Sequence, residues 1–257
     1  MDDIHGERGR AEGFGADAER YDRTRPGYPE ALVDWLTGDT PGRAVDVGCG
    51  TGQLSRLLRD AGWNVVGVEI DPRMADVARG HGIDVQVAAF EEWSGTGPFD
   101  LVTSAQAWHW IDPAIGYDKA ASLLRPGGRL AMIWNSYGYD ADVAAVFADV
   151  FGRHAPELLD AAVSLGLIRL DHEELEARTA ARLGPAFSAP ETHAFDHHRT
   201  VTIDAWIDEA TTHSPIAALP ASTRTRLFDE LARGLSAATD GSIRVDHTAR
   251  LTSATRI

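Results

Sequence analysis

An α/β fold built on a doubly wound sheet is predicted by three features of the 257-residue sequence. Short apolar runs alternate with amphipathic helical segments through the first half, the order that builds a parallel sheet with helices on both faces. A glycine-rich turn, "VDVGCGTGQLS" (45–55), joins the first of these runs to the helix behind it. Two Asp-Pro pairs open later helices, the carboxylate capping free N–H groups and the proline fitting the first turn.

Each element follows in order. The first fifteen or so residues are rich in glycine and charge, and residues 1–20 are expected to form a mobile N-terminus. "RPGYPEALVDWL" starts a helix, with Pro29 in its first turn and Leu32, Val33 and Leu36 on one face. "RAVDV" (43–47) is the first strand. Leu54, Leu57, Leu58 and Ala61 form one stripe of the next helix. "NVVGVE" (64–69) is strand two, and Asp71-Pro72 opens the helix after it. "IDVQVA" (83–88) and "FDLVTS" (99–104) are strands three and four. "IDPAIGYDKAASLL" is a helix ended by "RPGG", and "RLAMIW" (129–134) is strand five. The alternation then stops. Residues 136–190 are expected to hold a helical cap insertion, Ala-rich and acidic over 140–183. "THAFDHHRTVTI" returns to strand character, helices follow near 202–211 and 222–237, and "SIRVDHTARLTS" alternates as a half-buried strand at or near an edge. One domain over 1–257 accounts for the whole.

Composition narrows the function. Hydrophobic content of 44% and charged content of 25% belong to an ordinary globular chain, and no apolar stretch approaches a bilayer span. The polar N-terminus lacks the apolar core of a signal peptide, so a cytoplasmic address is expected. Cys49 is the single cysteine, which excludes an internal disulfide or a multi-cysteine zinc site. A net charge of −15 disfavours nucleic acid and anionic membrane as partners. Oligomeric state is not legible.

The sharpest chemical signal is the turn. Gly48, Gly50 and Gly52 alternate between a strand and a helix, where a missing Cβ permits a tight bend and close approach of a ligand. The spacing is G-x-G-x-G, with Asp46 two residues ahead, whereas a dinucleotide site wants its third glycine where Gln53 stands. Glu69, nineteen residues after Gly50, closes the next strand, where a carboxylate can accept both hydroxyls of a ribose.

With these residues the chain resembles the class I S-adenosylmethionine-dependent methyltransferases. "VDVGCGTGQLS" is similar to their first motif, "VVGVEIDPRM" to their second, and "LLRPGGRLAMIW" to the approach to their fifth strand. "Y…RPGYP" (Tyr21 to Pro29), Phe90 to Trp93 and Ala107 to Trp110 resemble the small-molecule branch that includes trans-aconitate methyltransferase. The resemblance implies a Rossmann-like sheet of seven strands with an antiparallel last strand, and S-adenosyl-L-methionine as cofactor. It implies that Gly48, Cys49 and Gly50 line the amino-acid and ribose portion, that Asp46 belongs to the cofactor site, and that Glu69 holds the ribose. Ile70, Phe90 and Glu91 would surround the adenine, Gln106 would face the methionine end, and Tyr21 and Arg25 would close the pocket. The chain departs from many relatives at Ala88-Ala89, where an aspartate usually precedes the adenine edge.

"SAQAWHW" (104–110) follows strand four and is expected to wall the transfer chamber. His109 is the candidate catalytic base, an imidazole titrating near neutrality being suited to taking a proton from the acceptor. The bland reading, in which His109 only shapes the wall, weighs about equally. Trp108 reads as packing, while Trp110, Trp134 and His213 of "TTHSP" are candidate substrate contacts. Cys49 reads as a small buried residue and His247 as a core histidine. No metal site is expected. The predicted activity is methyl transfer to a small molecule at O, N or C. A cofactor-binding cyclase or binding module without transfer is the alternative; nicotinamide-dependent oxidoreductases and tRNA or protein methyltransferases are weaker rivals.

Overall fold

A computed structural model describes residues 17–160, 177 and 179–257. In chain order the elements are α1 (Ala18–Thr24), α2 (Glu30–Thr37), β1 (Arg43–Val47), α3 (Gln53–Asp60), β2 (Asn64–Glu69), α4 (Pro72–Gly80), β3 (Asp84–Val87) and β4 (Phe99–Ala105). A short 3-10 turn (Trp108–Trp110) leads into α5 (Pro113–Leu123) and β5 (Leu124–Tyr139). Then come α6 (Ala141–His154), α7 (Glu157–Asp160), β6 (Glu191–Thr202), α8 (Ile203–Ala210), α9 (Ser214–Ala217), α10 (Ala221–Ala238) and β7 (Ser242–Thr255).

The seven strands lie in the order β3-β2-β1-β4-β5-β7-β6. Pairing is parallel from β3 through β5, while β7 runs antiparallel to both β5 and β6. This is a doubly wound, Rossmann-like sheet. Its order reverses between β1 and β4, which opens a crevice beyond their carboxyl ends.

Local chemistry explains the helix starts. Asp71 and Asp112 each accept from the backbone N–H two residues on, of Arg73 and Ala114 at 2.9 Å, and each precedes a proline at the first turn. Apolar side chains split between the two faces of the sheet. One cluster joins Val45, Val47, Trp93, Trp108, Leu124 and Trp134; the opposite one joins Leu32, Leu36, Leu54, Leu58 and Leu101. A third links Phe147, Phe151, Trp206, Leu227 and Leu231 beside the far ends of β5 and β7. No helix among the described residues is long and apolar enough to cross a membrane.

Three boundaries differ from those expected. Helix α1 begins at Ala18, inside the span expected to be mobile, and residues 1–16 lie outside the described ones. Strand β5 begins at Leu124, taking in "RPGG" as an irregularity where the register with β4 shifts, and it continues to Tyr139. Its extension is held by β7, which pairs it residue for residue to Tyr139↔Val245. The helical segment therefore starts at Ala141 and not at 136, and the acidic "DHEELE" (171–176) lies outside the described residues. Strand β7 lies near the edge, as expected, one place in from β6.

Candidate functional site

The turn after β1 is held against β2 by its own backbone: the N–H groups of Gly48 and Cys49 both donate to the Val68 carbonyl, at 2.8 and 3.2 Å. Gly48 (φ +66°) and Gly50 (φ +56°) have left-handed backbone. A Cβ on Gly48 would stand 2.4 Å from the Cβ of Ala107, so the turn and the segment after β4 meet with no side chain between them.

Glu69 ends β2 beside that turn, only 7% exposed. Its Oε2 accepts from Gly50 N at 2.8 Å and its Oε1 from Asp71 N at 2.9 Å. Burial pushes its pKa up, while these backbone donors pull it back. Each oxygen spends one lone pair on the backbone, leaving acceptor capacity on both.

Two adjoining crevices open here, of about 830 and 510 Å³ counting their open mouths. The first is lined by Glu69, Ile70, Met74, Ala88, Ala89, Phe90, Glu91, Trp110 and Ile111; the second by Arg25, Tyr28, Asp46, Cys49, Thr51, Asn135 and Tyr137. Tyr21, Gly48, Gly50 and Gln106 face both. Every residue expected around a cofactor therefore lines this one cavity system.

Each wall has a local cause. Phe90 is fully packed beneath, its ring 6.0 Å from Trp108 and 6.4 Å from Trp93. Lys119 fixes the turn that carries it, donating to the Glu91 carbonyl at 3.2 Å with its ammonium 5.4 Å from the Phe90 ring. Glu91 Oε1 accepts from Asp112 N at 2.9 Å, tying this wall to the start of α5. Gln106 adopts φ +60° and donates its N–H to Ile133 O at 2.8 Å, closing the end of β4 on β5.

In the second crevice Asp46 is buried, takes a 2.6 Å hydrogen bond from Ser55 Oγ, and has its pKa raised to about 7 by burial. Its Oδ1 has no hydrogen-bond partner among the described residues. Burial also raises the Cys49 thiol, which stays protonated and a poor nucleophile. Burial raises Tyr28, and pushes Tyr137 up to about 12. Arg25 is fixed by Thr212, donating from Nε to Oγ1 at 3.0 Å and from Nη2 to the carbonyl at 3.1 Å.

The expected chamber residues are only partly brought together. Trp110 lines the first crevice. Trp108 packs edge-on to Tyr117 at 5.3 Å and is core. His109 lines neither crevice; its ring sits 5.1 Å from Trp110. His213 is buried 6.5 Å from the Tyr137 ring, likewise off the lining. Trp134 is in the core cluster with Phe187 and lines neither crevice. Strand alternation is the reason, since Asn135 and Tyr137 present the opposite face. Sequence reasoning misses Met74, Tyr28, Asn135 and Tyr137, though Tyr28 stands inside the "RPGYP" motif. Among the described residues no three His, Cys, Asp or Glu side chains group to hold a metal ion.

Known proteins match this arrangement. A methyltransferase domain family matches residues 45–132. An uncharacterized methyltransferase of Mycobacterium tuberculosis is 30% identical over 221 residues, 85% of this chain and 83% of that protein. A ubiquinone biosynthesis O-methyltransferase of Xylella fastidiosa is 36% identical over 110 residues, 38% of this chain and 45% of that one. Among solved structures, one described as a type II methyltransferase from Anaeromyxobacter dehalogenans superposes with a TM-score of 0.67 at 24% identity, covering 90% of this chain and 97% of that one. That last likeness speaks for the fold.

Proposed function

This chain belongs to the class I S-adenosylmethionine-dependent methyltransferases, and from that premise we propose that it methylates a small-molecule acceptor beyond the carboxyl ends of β4 and β5. Its cofactor, S-adenosylmethionine, supplies an electrophilic methyl group on a sulfonium. The observation that carries the reading is Glu69: a buried carboxylate, anchored on two backbone N–H groups, with acceptor capacity left on both oxygens beside a turn that excludes side chains. A ribose diol fits that acceptor pair. Ile70, Met74 and Phe90 offer an apolar slot suited to a flat purine. Arg25, preset by Thr212, suits the cofactor carboxylate, with Tyr21 closing over it.

The protein's work is to hold two reactants in line and keep water away. Orientation of this kind supplies on the order of 7–11 kcal/mol. Trp110 borders the acceptor, and Trp134 and His213 support the walls around it. His109 stands beside Trp110 but off both crevice linings, so the acceptor's proton would reach it through one bridging water, a step worth about 10²–10⁴-fold where the nucleophile carries a proton. The acidic net charge of −15 argues for a small acceptor over a phosphate backbone. Whether oxygen, nitrogen or carbon receives the methyl is set by that acceptor.

Incubation with methyl-labelled cofactor and a panel of phenols, amines, carboxylic acids and enolisable carbonyl compounds tests the reading. Label in a small product supports it. Tight S-adenosylhomocysteine binding with no transfer to any acceptor favours a binding module instead.

A further inference from the structure

Three carboxyl groups, Asp46, Glu69 and Glu91, line the two crevices against a single cation, Arg25, among the described residues. Arg25 is assigned to the cofactor carboxylate. Even with the cofactor's sulfonium counted, acids outnumber cations at the lining. Behind the wall, Arg199 pairs with the buried Glu209 and donates from Nε to His247 Nε2 at 3.0 Å, so its charge is already met. Burial lowers His247 to a pKa of about 3, and that ring carries no charge.

The β5 side of the second crevice is short of hydrogen-bond donors. Asn135 lines it at 8% exposure, and its Oδ1 has no hydrogen-bond partner among the described residues. Its terminal amide torsion is soft, so a half-turn presents that oxygen to the crevice. Two residues on, the Tyr137 ring is fixed edge-on to His247 at 4.8 Å and to His213 at 6.5 Å. Tyr137 therefore offers a rigid aromatic wall next to the Asn135 amide.

We propose that the acceptor enters the second crevice through an uncharged hydroxyl or amino group that donates to the Asn135 amide oxygen, and that Asn135 selects it over a carboxylate. The proposal rests on reading these crevices as the cofactor and acceptor sites, and it names the class of acceptor. Two costs separate the classes. A carboxylate brought here leaves water, finds no unassigned cation, and faces the Asp46 carboxyl and the Asn135 oxygen. A hydroxyl or amine instead completes a buried oxygen that otherwise lacks its donor. A buried polar group that only one ligand satisfies discriminates steeply between ligands of similar size.

Matched aromatic scaffolds carrying a hydroxyl, an amino group or a carboxylate at one position, assayed with methyl-labelled cofactor, test this. The parent is expected to turn over the hydroxyl and amino members with kcat/KM about a hundredfold or more above the carboxylate members. Asn135→Leu keeps the size of the side chain and removes its polar atoms. It is expected to raise KM for the hydroxyl members about tenfold while kcat stays within about threefold. Asn135→Asp keeps an oxygen acceptor and is expected to retain both classes. A purely structural Asn135 would weaken S-adenosylhomocysteine and all three acceptor classes alike. Carboxylate members turned over as well as hydroxyl members, or a parental KM in Asn135→Leu, overturn the acceptor class and leave methyl transfer standing. Binding of S-adenosylhomocysteine with label in no member overturns both, and failure to bind it overturns the cofactor reading itself.

Discussion

Replacing Gly48 by alanine probes the closest contact in the site. The added Cβ would sit 2.4 Å from Ala107 Cβ, on a backbone of φ +66°. Carbon atoms settle about 3.5–4.0 Å apart, so the turn and the segment after β4 must separate by about 1 Å or more. The left-handed backbone costs a non-glycine residue roughly 1–2 kcal/mol and the overlap roughly 1–3 more, together about 2–5 kcal/mol. Gly241 supplies the control: its φ is +94° and nothing lies within 4 Å of its added Cβ, so Gly241→Ala carries the backbone cost alone. Urea unfolding should therefore show the larger loss in Gly48→Ala. Titration with S-adenosylhomocysteine should show weakened binding in Gly48→Ala only, because the displaced segment walls both crevices. Equal losses of stability in the two variants, or parental affinity in Gly48→Ala, would refute the close-approach argument.

The buried carboxyl of Asp46 makes stability depend on pH. Its folded pKa of about 7 exceeds the ordinary 3.8, so the folded chain keeps a proton that the unfolded chain releases. This group then costs about 1.4 kcal/mol per pH unit as pH rises through that window, roughly 4 kcal/mol in all. Asp46→Asn should remove this slope, and parallel stability curves for variant and parent from about pH 4 to 7 would contradict it. His109→Asn should slow transfer to a protonated acceptor by about 10²–10⁴-fold while leaving S-adenosylhomocysteine affinity unchanged; a full rate discards the proton-acceptor role.

Local signals make the cofactor side legible. The turn at Gly48–Gly52, the acid Glu69 and the aromatic Phe90 each announce themselves by residue type and spacing, and the crevices are built around them. The acceptor side is harder, because its contacts depend on strand parity and long-range pairing. Trp134 draws attention by size, yet one step along the strand decides the face, and Asn135 and Tyr137 face the crevice. The strand's continuation to Tyr139 needs β7, which is remote in sequence, and nothing near residue 135 signals it. Met74 is an ordinary apolar position on α4 until the fold brings it against Ile70 and Glu69.

Calorimetric titration of S-adenosylhomocysteine into the parent and into Glu69→Ala tests the central claim most directly. Two hydrogen bonds to a carboxylate, at about 1.5–3 kcal/mol each, predict a parent that binds one equivalent and a variant weakened about a hundredfold or more. A parent that takes up no ligand, or a Glu69→Ala protein that binds as tightly as the parent, would contradict the account.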